Sequence, residues 1–148
     1  MNFKKILFAE DNPNDVELTM DVLATKNLAN EVAVVRDGVE ALDYLKCRGE
    51  FANRPRGNPV LVLLDLKMPR MDGLEVLKAI REDKNLTQLP VVILTSSREE
   101  ADIAASYQLG TNAYVVKPVD FAQFAEAIGS LGIFWAVIND PPPQQAET

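Results

Sequence analysis

Five polar residues stand at the ends of apolar runs, and their types suit phosphoryl chemistry. Asp65 closes Val60-Leu61-Val62-Leu63-Leu64, the pair Glu10 and Asp11 follows Ile6-Leu7-Phe8-Ala9, Thr95 follows Val91-Val92-Ile93-Leu94, and Lys117 follows Tyr114-Val115-Val116. In an open parallel sheet the carboxyl ends of the strands share one edge, where the crevice at the topological switch point binds ligands, so these side chains should converge. Three carboxylates can hold a divalent cation. Mg2+ usually takes one or two carboxylates, retained waters and phosphate oxygens, and Asp11 with Asp65 could supply that pair, with Mn2+ a possible substitute. Asp65 could then attack phosphorus and become an acyl phosphate, while the cation and Lys117 offset the repulsion between carboxylate and phosphoryl group. Thr95 could donate its hydroxyl to a phosphoryl oxygen.

The elements that must position these residues read as repeated βα units. Strands are expected near residues 4–9, 32–36, 60–65, 91–95 and 113–116, and helices near 14–27, 38–47, 73–83, 98–108 and 121–138. Helix starts are marked by Asp37-x-x-Glu40, Asp72-x-x-Glu75, Ser97-x-x-Glu100 and Asp120-x-x-Gln123, and by Pro13 after Asn12. Asp37, Asp72 and Asp120 therefore read as caps without chemistry. Asp65 differs, because Leu66-Lys67-Met68-Pro69 follows it and proline disfavours a helix starting there. Gly110 suits the end of the fourth helix. Between Arg48 and Pro59 runs a loop carrying Arg48, Arg54 and Arg56, which reads first as a solvated basic loop.

Composition narrows the function classes. The 148 residues fit one domain, expected over 1–138, with a flexible Pro- and Gln-containing tail over 139–148. A net charge of −7 disfavours nucleic acid as a direct partner. The single cysteine, Cys47, excludes an internal disulfide and a thiolate zinc cluster, which points to a reducing cytoplasm. No stretch has the length of a membrane span and no segment addresses the chain for export. With no histidine, the chain has neither a Ser-His or Cys-His nucleophile nor a phosphohistidine of its own.

In order and position, Glu10-Asp11, the stretch Asp65-Leu66-Lys67-Met68-Pro69-Arg70-Met71-Asp72-Gly73, Thr95 and Lys117-Pro118 resemble the receiver domain of two-component response regulators. The resemblance runs over about residues 3–138. More narrowly, Glu10-Asp11-Asn12-Pro13-Asn14-Asp15-Val16-Glu17, the long loop before the third strand, and the ending Gly132-Ile133-Phe134-Trp135 through Asn139-Asp140-Pro141-Pro142 are similar to the stand-alone regulators of phytochrome histidine kinases. The resemblance implies a flavodoxin-like (βα)5 doubly wound sheet of strand order 2-1-3-4-5, and a switch protein rather than an enzyme acting on other molecules. It implies that Asp65 takes a phosphoryl group from a histidine kinase. Asp11 would bind the metal directly, Glu10 largely through water, and the main-chain carbonyl of Lys67 would be a further ligand. Thr95 would move toward the phosphoryl group and let Tyr114 turn inward. From the residues alone, Tyr114 could equally be an ordinary half-buried strand tyrosine. A cis Lys117-Pro118 bond is expected on the same grounds. Lys67 and Ser97, two residues past Asp65 and Thr95, depart from the carboxylate or amide common in the family, which leaves the phosphoryl lifetime open. No output domain is expected after the fifth helix, so output would come from partner binding, dimerisation or onward transfer.

Three rival readings share parts of this pattern. A Mg2+-dependent phosphatase with an aspartyl nucleophile would want an acid where Lys67 stands. A flavodoxin-like cofactor binder would need a phosphate loop where Glu10 and Asp11 would repel phosphate. A receiver-shaped adaptor without phosphorylation is disfavoured by the complete residue set. Finally, Phe124, Ile128, Leu131, Trp135 and Ile138 recur at helical spacing as one buried face, leaving Ile133, Phe134 and Val137 off it. These three are the expected interface of a homodimer, unless the tail or the first helix covers them.

Overall fold

The computed structural model describes residues 4–110 and 112–138, so the expected tail at 139–148 lies outside the described residues. Five strands, β1 (Ile6–Ala9), β2 (Val32–Val35), β3 (Leu61–Asp65), β4 (Val91–Thr95) and β5 (Ala113–Val116), form one sheet in the order β2-β1-β3-β4-β5. Every pairing is parallel, with Ala9 beside Leu64, Asp65 beside Leu94 and Thr95 beside Val116. The helices are α1 (Pro13–Ala24), α2 (Gly38–Leu45), α3 (Gly73–Glu82), α4 (Arg98–Ala105), α5 (Phe121–Ser130) and α6 (Phe134–Ile138). The chain moves one way from β1 to β2 and the other way from β2 onward, so right-handed crossovers place α1 on one face and α2 to α4 on the other.

Side-chain alternation explains the apolar runs. Ile6, Phe8, Leu61, Leu63, Val92 and Leu94 pack with Leu23 of α1 and with Phe124 and Ile128 of α5. Leu7, Ala9, Val62, Leu64, Val91 and Ile93 pack with Leu42, Leu45, Val76, Leu77 and Ile80 of α2 and α3. Both faces are covered, so the strands carry no polar alternation. The first polar residue of each run therefore marks where a strand leaves the core.

The predicted caps form. Asp37, Asp72, Ser97 and Asp120 accept from the backbone N–H groups of Glu40, Glu75, Glu100 and Gln123 at 2.8–3.2 Å. Asn12 Oδ1 accepts from Asn14 and Asp15. Asp37 does more than cap, because its other oxygen accepts from Arg70 Nε at 2.9 Å and tethers the β3–α3 loop to α2.

Three expectations need correction. The fourth helix ends at Ala105, and Gly110 instead occupies a left-handed turn (φ +83°) before β5, where a Cβ would come 2.8 Å from Arg81 Nε. The fifth helix is two helices. Gly132 takes φ +74°, Gly132 N–H donates to Gly129 O and Ile133 N–H to Ile128 O, a pairing that terminates α5 before α6 restarts in a new phase. That phase change inverts the expected faces: Val137 is fully buried with Phe124 and Ile128 and cannot belong to an interface, whereas Trp135 is 51% exposed. Phe134 is exposed as expected, and Ile133 is half-buried against the core. The loop before β3 is also less solvated than its composition implies. Arg54 lies 4.2 Å over the Tyr44 ring and donates to the carbonyls of Tyr44, Pro55 and Gly57, Phe51 packs edge-on against Tyr44, and Arg48 pairs with Asp43.

Candidate functional site

The sheet edge gathers the five residues. Four of them are pinned by backbone bonds that continue the strands: Glu10 N–H donates to Val35 O, Leu66 N–H after Asp65 donates to Leu94 O, and Lys117 N–H donates to Thr95 O. Glu10, Asp65 and Thr95 are buried, Asp11 is exposed, and Lys117 lies between. At the centre, Lys117 Nζ is 3.2 Å from Asp65 Oδ1, 3.3 Å from Glu10 Oε1 and 2.9 Å from Asp15 Oδ2. Asp15 was not among the predicted site residues. Its place in the chain was legible, since Asn12 caps α1 and so fixes Asp15 in the first turn directly after the acid pair. Its approach to Lys117, however, depends on bringing α1 and the end of β5 together.

The β3–α3 loop folds back on the acceptor. Met71 N–H donates to Pro69 O, Arg70 takes φ +65°, and Gly73 N–H donates to Leu66 O. A Cβ on Gly73 would sit 2.5 Å from the Asp65 carbonyl oxygen, so only glycine permits α3 to start that close to the strand end.

The electrostatics are those of a site short of positive charge. Burial and, next, the nearby Asp65 carboxylate push Glu10 up to about 8, despite Lys117 and the Asn12 N–H. Burial opposes the charge of Lys117, but Asp15, Asp65 and Glu10 outweigh it and hold the ammonium above its ordinary range. Glu10, Asp11 and Asp65 each place one carboxylate oxygen within 4.8 Å of the others. One ammonium cannot neutralise four carboxylates, and a proton retained on Glu10 makes up part of the deficit. Hard oxygen donors with two of the three acids buried fit Mg2+ or Mn2+ and not a soft metal.

Thr95 and Tyr114 lie at the rim. Thr95 Oγ1 donates to Ser97 O at 3.1 Å. Half-buried Tyr114, whose phenol burial raises above its usual range, borders a groove of about 480 Å³ between α4 and α5, with Arg98, Gln123 and Glu126. Lys117-Pro118 is cis. The Lys67 side chain pairs with Glu100 Oε2 at 2.8 Å, a contact the sequence reading missed. Ile133, Phe134 and Val137 are not part of this site. The α6 helix lies toward the opposite edge, where Ile138 lines a cleft with Lys5 and Leu28.

A family model described as the response regulator receiver domain matches residues 6–129. Response regulator Rcp1 of Synechocystis sp. is 39% identical over 132 residues, covering 89% of this chain and 88% of that protein. The solved bacteriophytochrome response regulator RtBRR is 55% identical, with a TM-score of 0.85 over 99% of this chain and 88% of its own. The Mn2+-bound form of Rcp1 has a TM-score of 0.70 at 37% identity, covering 94% of this chain and 97% of its own.

Proposed function

The chain belongs to the response regulator receiver family, and from that footing we propose that Asp65 accepts a phosphoryl group from a phytochrome-type histidine kinase. Its signalling is that of phosphorylation-based two-component systems. The observation that carries the assignment is the convergence of Lys117, Glu10 and Asp11 on Asp65 at the switch point between β1 and β3.

In the transfer, Asp65 Oδ bonds to phosphorus as the donor's P–N bond breaks, and the electron pair leaves with the donor imidazole. Asp65 is held for this by the β3 ladder and by Lys117, whose ammonium also meets the incoming phosphoryl oxygens. Asp11, Glu10, Asp65 and the Lys67 main-chain carbonyl would hold Mg2+, or Mn2+ in its place, and a bound cation supplies the remaining charge that lets two anions meet. The Mn2+-bound Rcp1 structure supports this choice of metal. Thr95 then gives up Ser97 O as its acceptor and donates to the phosphoryl group, and Tyr114 turns toward the space vacated.

Output follows from the altered α4–β5–α5 surface by partner binding, or by pairing of two copies, for which exposed Phe134 and Trp135 on α6 offer a separate apolar contact. The net charge of −7 speaks against direct contact with nucleic acid. Among the described residues no helix is long and apolar enough to cross a membrane. The single cysteine, which is free, supports a cytoplasmic setting, and we assign catalysis only of the chain's own phosphorylation and dephosphorylation. The receiver unit is assigned to 1–138.

The test is mass spectrometry after incubation with Mg2+ and acetyl phosphate. Wild type should gain one phosphoryl group, Asp65→Asn none, and chelation of the metal should stop labelling. Equal labelling of Asp65→Asn would place the acceptor elsewhere.

A further inference from the structure

Glu100 lies on α4, outside the acid cluster, yet both of its carboxylate oxygens are committed. Oε1 accepts from Ser96 N–H at 3.1 Å, and Oε2 meets Lys67 Nζ at 2.8 Å. Its own N–H donates to Ser97 Oγ, and Ser97 O in turn holds the Thr95 hydroxyl. Thr95, Ser96, Ser97 and Glu100 are thus one capping unit at the start of α4, and Lys67, two residues past Asp65, is clipped to it.

The clip is asymmetric. Glu100 is held by the cap and its side chain is 23% exposed, whereas the Lys67 side chain is 74% exposed and held only at its tip. An exposed ion pair of this kind contributes little and exchanges readily. Conversion of Asp65 to an acyl phosphate places up to two negative charges within reach of a flexible ammonium that until then faces one.

We infer that Glu100 is a positioning residue that holds Lys67 away from the phosphoacceptor, and that phosphorylation draws Lys67 from Glu100 onto the phosphoryl group. There Lys67 screens the phosphorus from water. In the hydrolysis it opposes, a water oxygen bonds to phosphorus, the Asp65 Oδ–P bond breaks with its electron pair returning to the carboxylate, and the water proton passes to the departing phosphate. Glu100 competes for the same ammonium and so shortens the life of the phosphorylated state. The inference rests on Asp65 being the acceptor, and it adds a link from that acceptor to the α4 cap that does not pass through Thr95 or Tyr114.

Glu100→Gln tests it cleanly, because glutamine keeps an oxygen for Ser96 N–H and loses only the charge. Protein labelled with acetyl phosphate is freed of donor and its decay followed by mass spectrometry, for wild type, Glu100→Gln, Lys67→Met and the double variant. Glu100→Gln should live about two- to fivefold longer than wild type, the range an exposed ion pair commands. Lys67→Met should decay faster, and adding Glu100→Gln to it should change nothing. A merely structural role for Glu100 in the cap would give the same effect in both backgrounds, and that result, or a shorter life for Glu100→Gln, would overturn the inference. Absence of label on wild type would instead remove Asp65 as acceptor and the inference with it, whereas normal labelling with unchanged decay would remove the inference alone.

Discussion

Glu10 gives the site its response to pH. Raised from 4.5 to about 8 by burial and by Asp65, its carboxyl keeps a proton through neutrality, and a divalent cation must displace that proton to use the same oxygens. Metal affinity should therefore climb as pH rises toward 8, by up to about tenfold per unit, and then level off. Calorimetric Mg2+ titrations at several pH values, in buffers of different ionisation enthalpy, should show proton release in wild type and much less in Glu10→Gln. The sign for stability runs the other way in metal-free protein. A carboxyl whose folded value exceeds its unfolded value stabilises most below the unfolded value, and that contribution is lost as pH rises through about 8. Thr95 divides differently from the acids. Thr95→Ala should still take up label from acetyl phosphate, but labelled and unlabelled variant should share one hydrogen-exchange pattern over α4 and β5; a wild-type shift in that pattern would refute the assigned switch. The Thr95–Ser97 bond itself contributes only about 1 kcal/mol, so folding should survive its loss.

At the level of elements, one substitution made in two helices should have opposite signs. Gly73→Ala drives a Cβ against the Asp65 carbonyl at 2.5 Å and should lower stability by about 1–3 kcal/mol, with slowed labelling because the acceptor's backbone must move. In Gly129→Ala the new Cβ meets nothing within 4 Å inside α5, and stability should rise by about 0.5–1 kcal/mol. Thermal melts of both variants decide this. The same elements show what could be read from the chain unaided. Strand ends and caps were legible because burial on both sheet faces tolerates no polar residue before the edge, and because Asp37, Asp72, Ser97 and Asp120 act on backbone only three residues away. The break at Gly132 was not, since apolar residues at spacings of 4, 3, 4 and 3 run straight across it and one glycine in a helical pattern is usually tolerated. Asp15 and Glu100 were hidden for another reason: each finds its cation on a different element, at a distance no local pattern encodes.

For the molecule as a whole, the surface that α6 leaves open sets the expected assembly. Phe134 at 39% and Trp135 at 51% exposure adjoin half-buried Ile133, and such an apolar patch usually marks a contact. Light scattering at micromolar concentration should report a dimer for wild type and a monomer for Phe134→Asp with its circular dichroism retained. Val137→Asp should instead lose fold, because that side chain is in the core. A wild type that stays monomeric with and without label would reassign the patch to another partner. Lys117 carries a consequence of a different kind. Its three carboxylate partners stand 52, 102 and 107 residues away along the chain, so none can be met before β5 docks as the last strand of the sheet. Contacts of such separation form late, after the loop entropy of most of the chain has been spent. A nascent or partly folded chain would display Asp65 and its neighbouring acids without the ammonium that makes transfer possible, and so would be silent to its kinase until folding is complete.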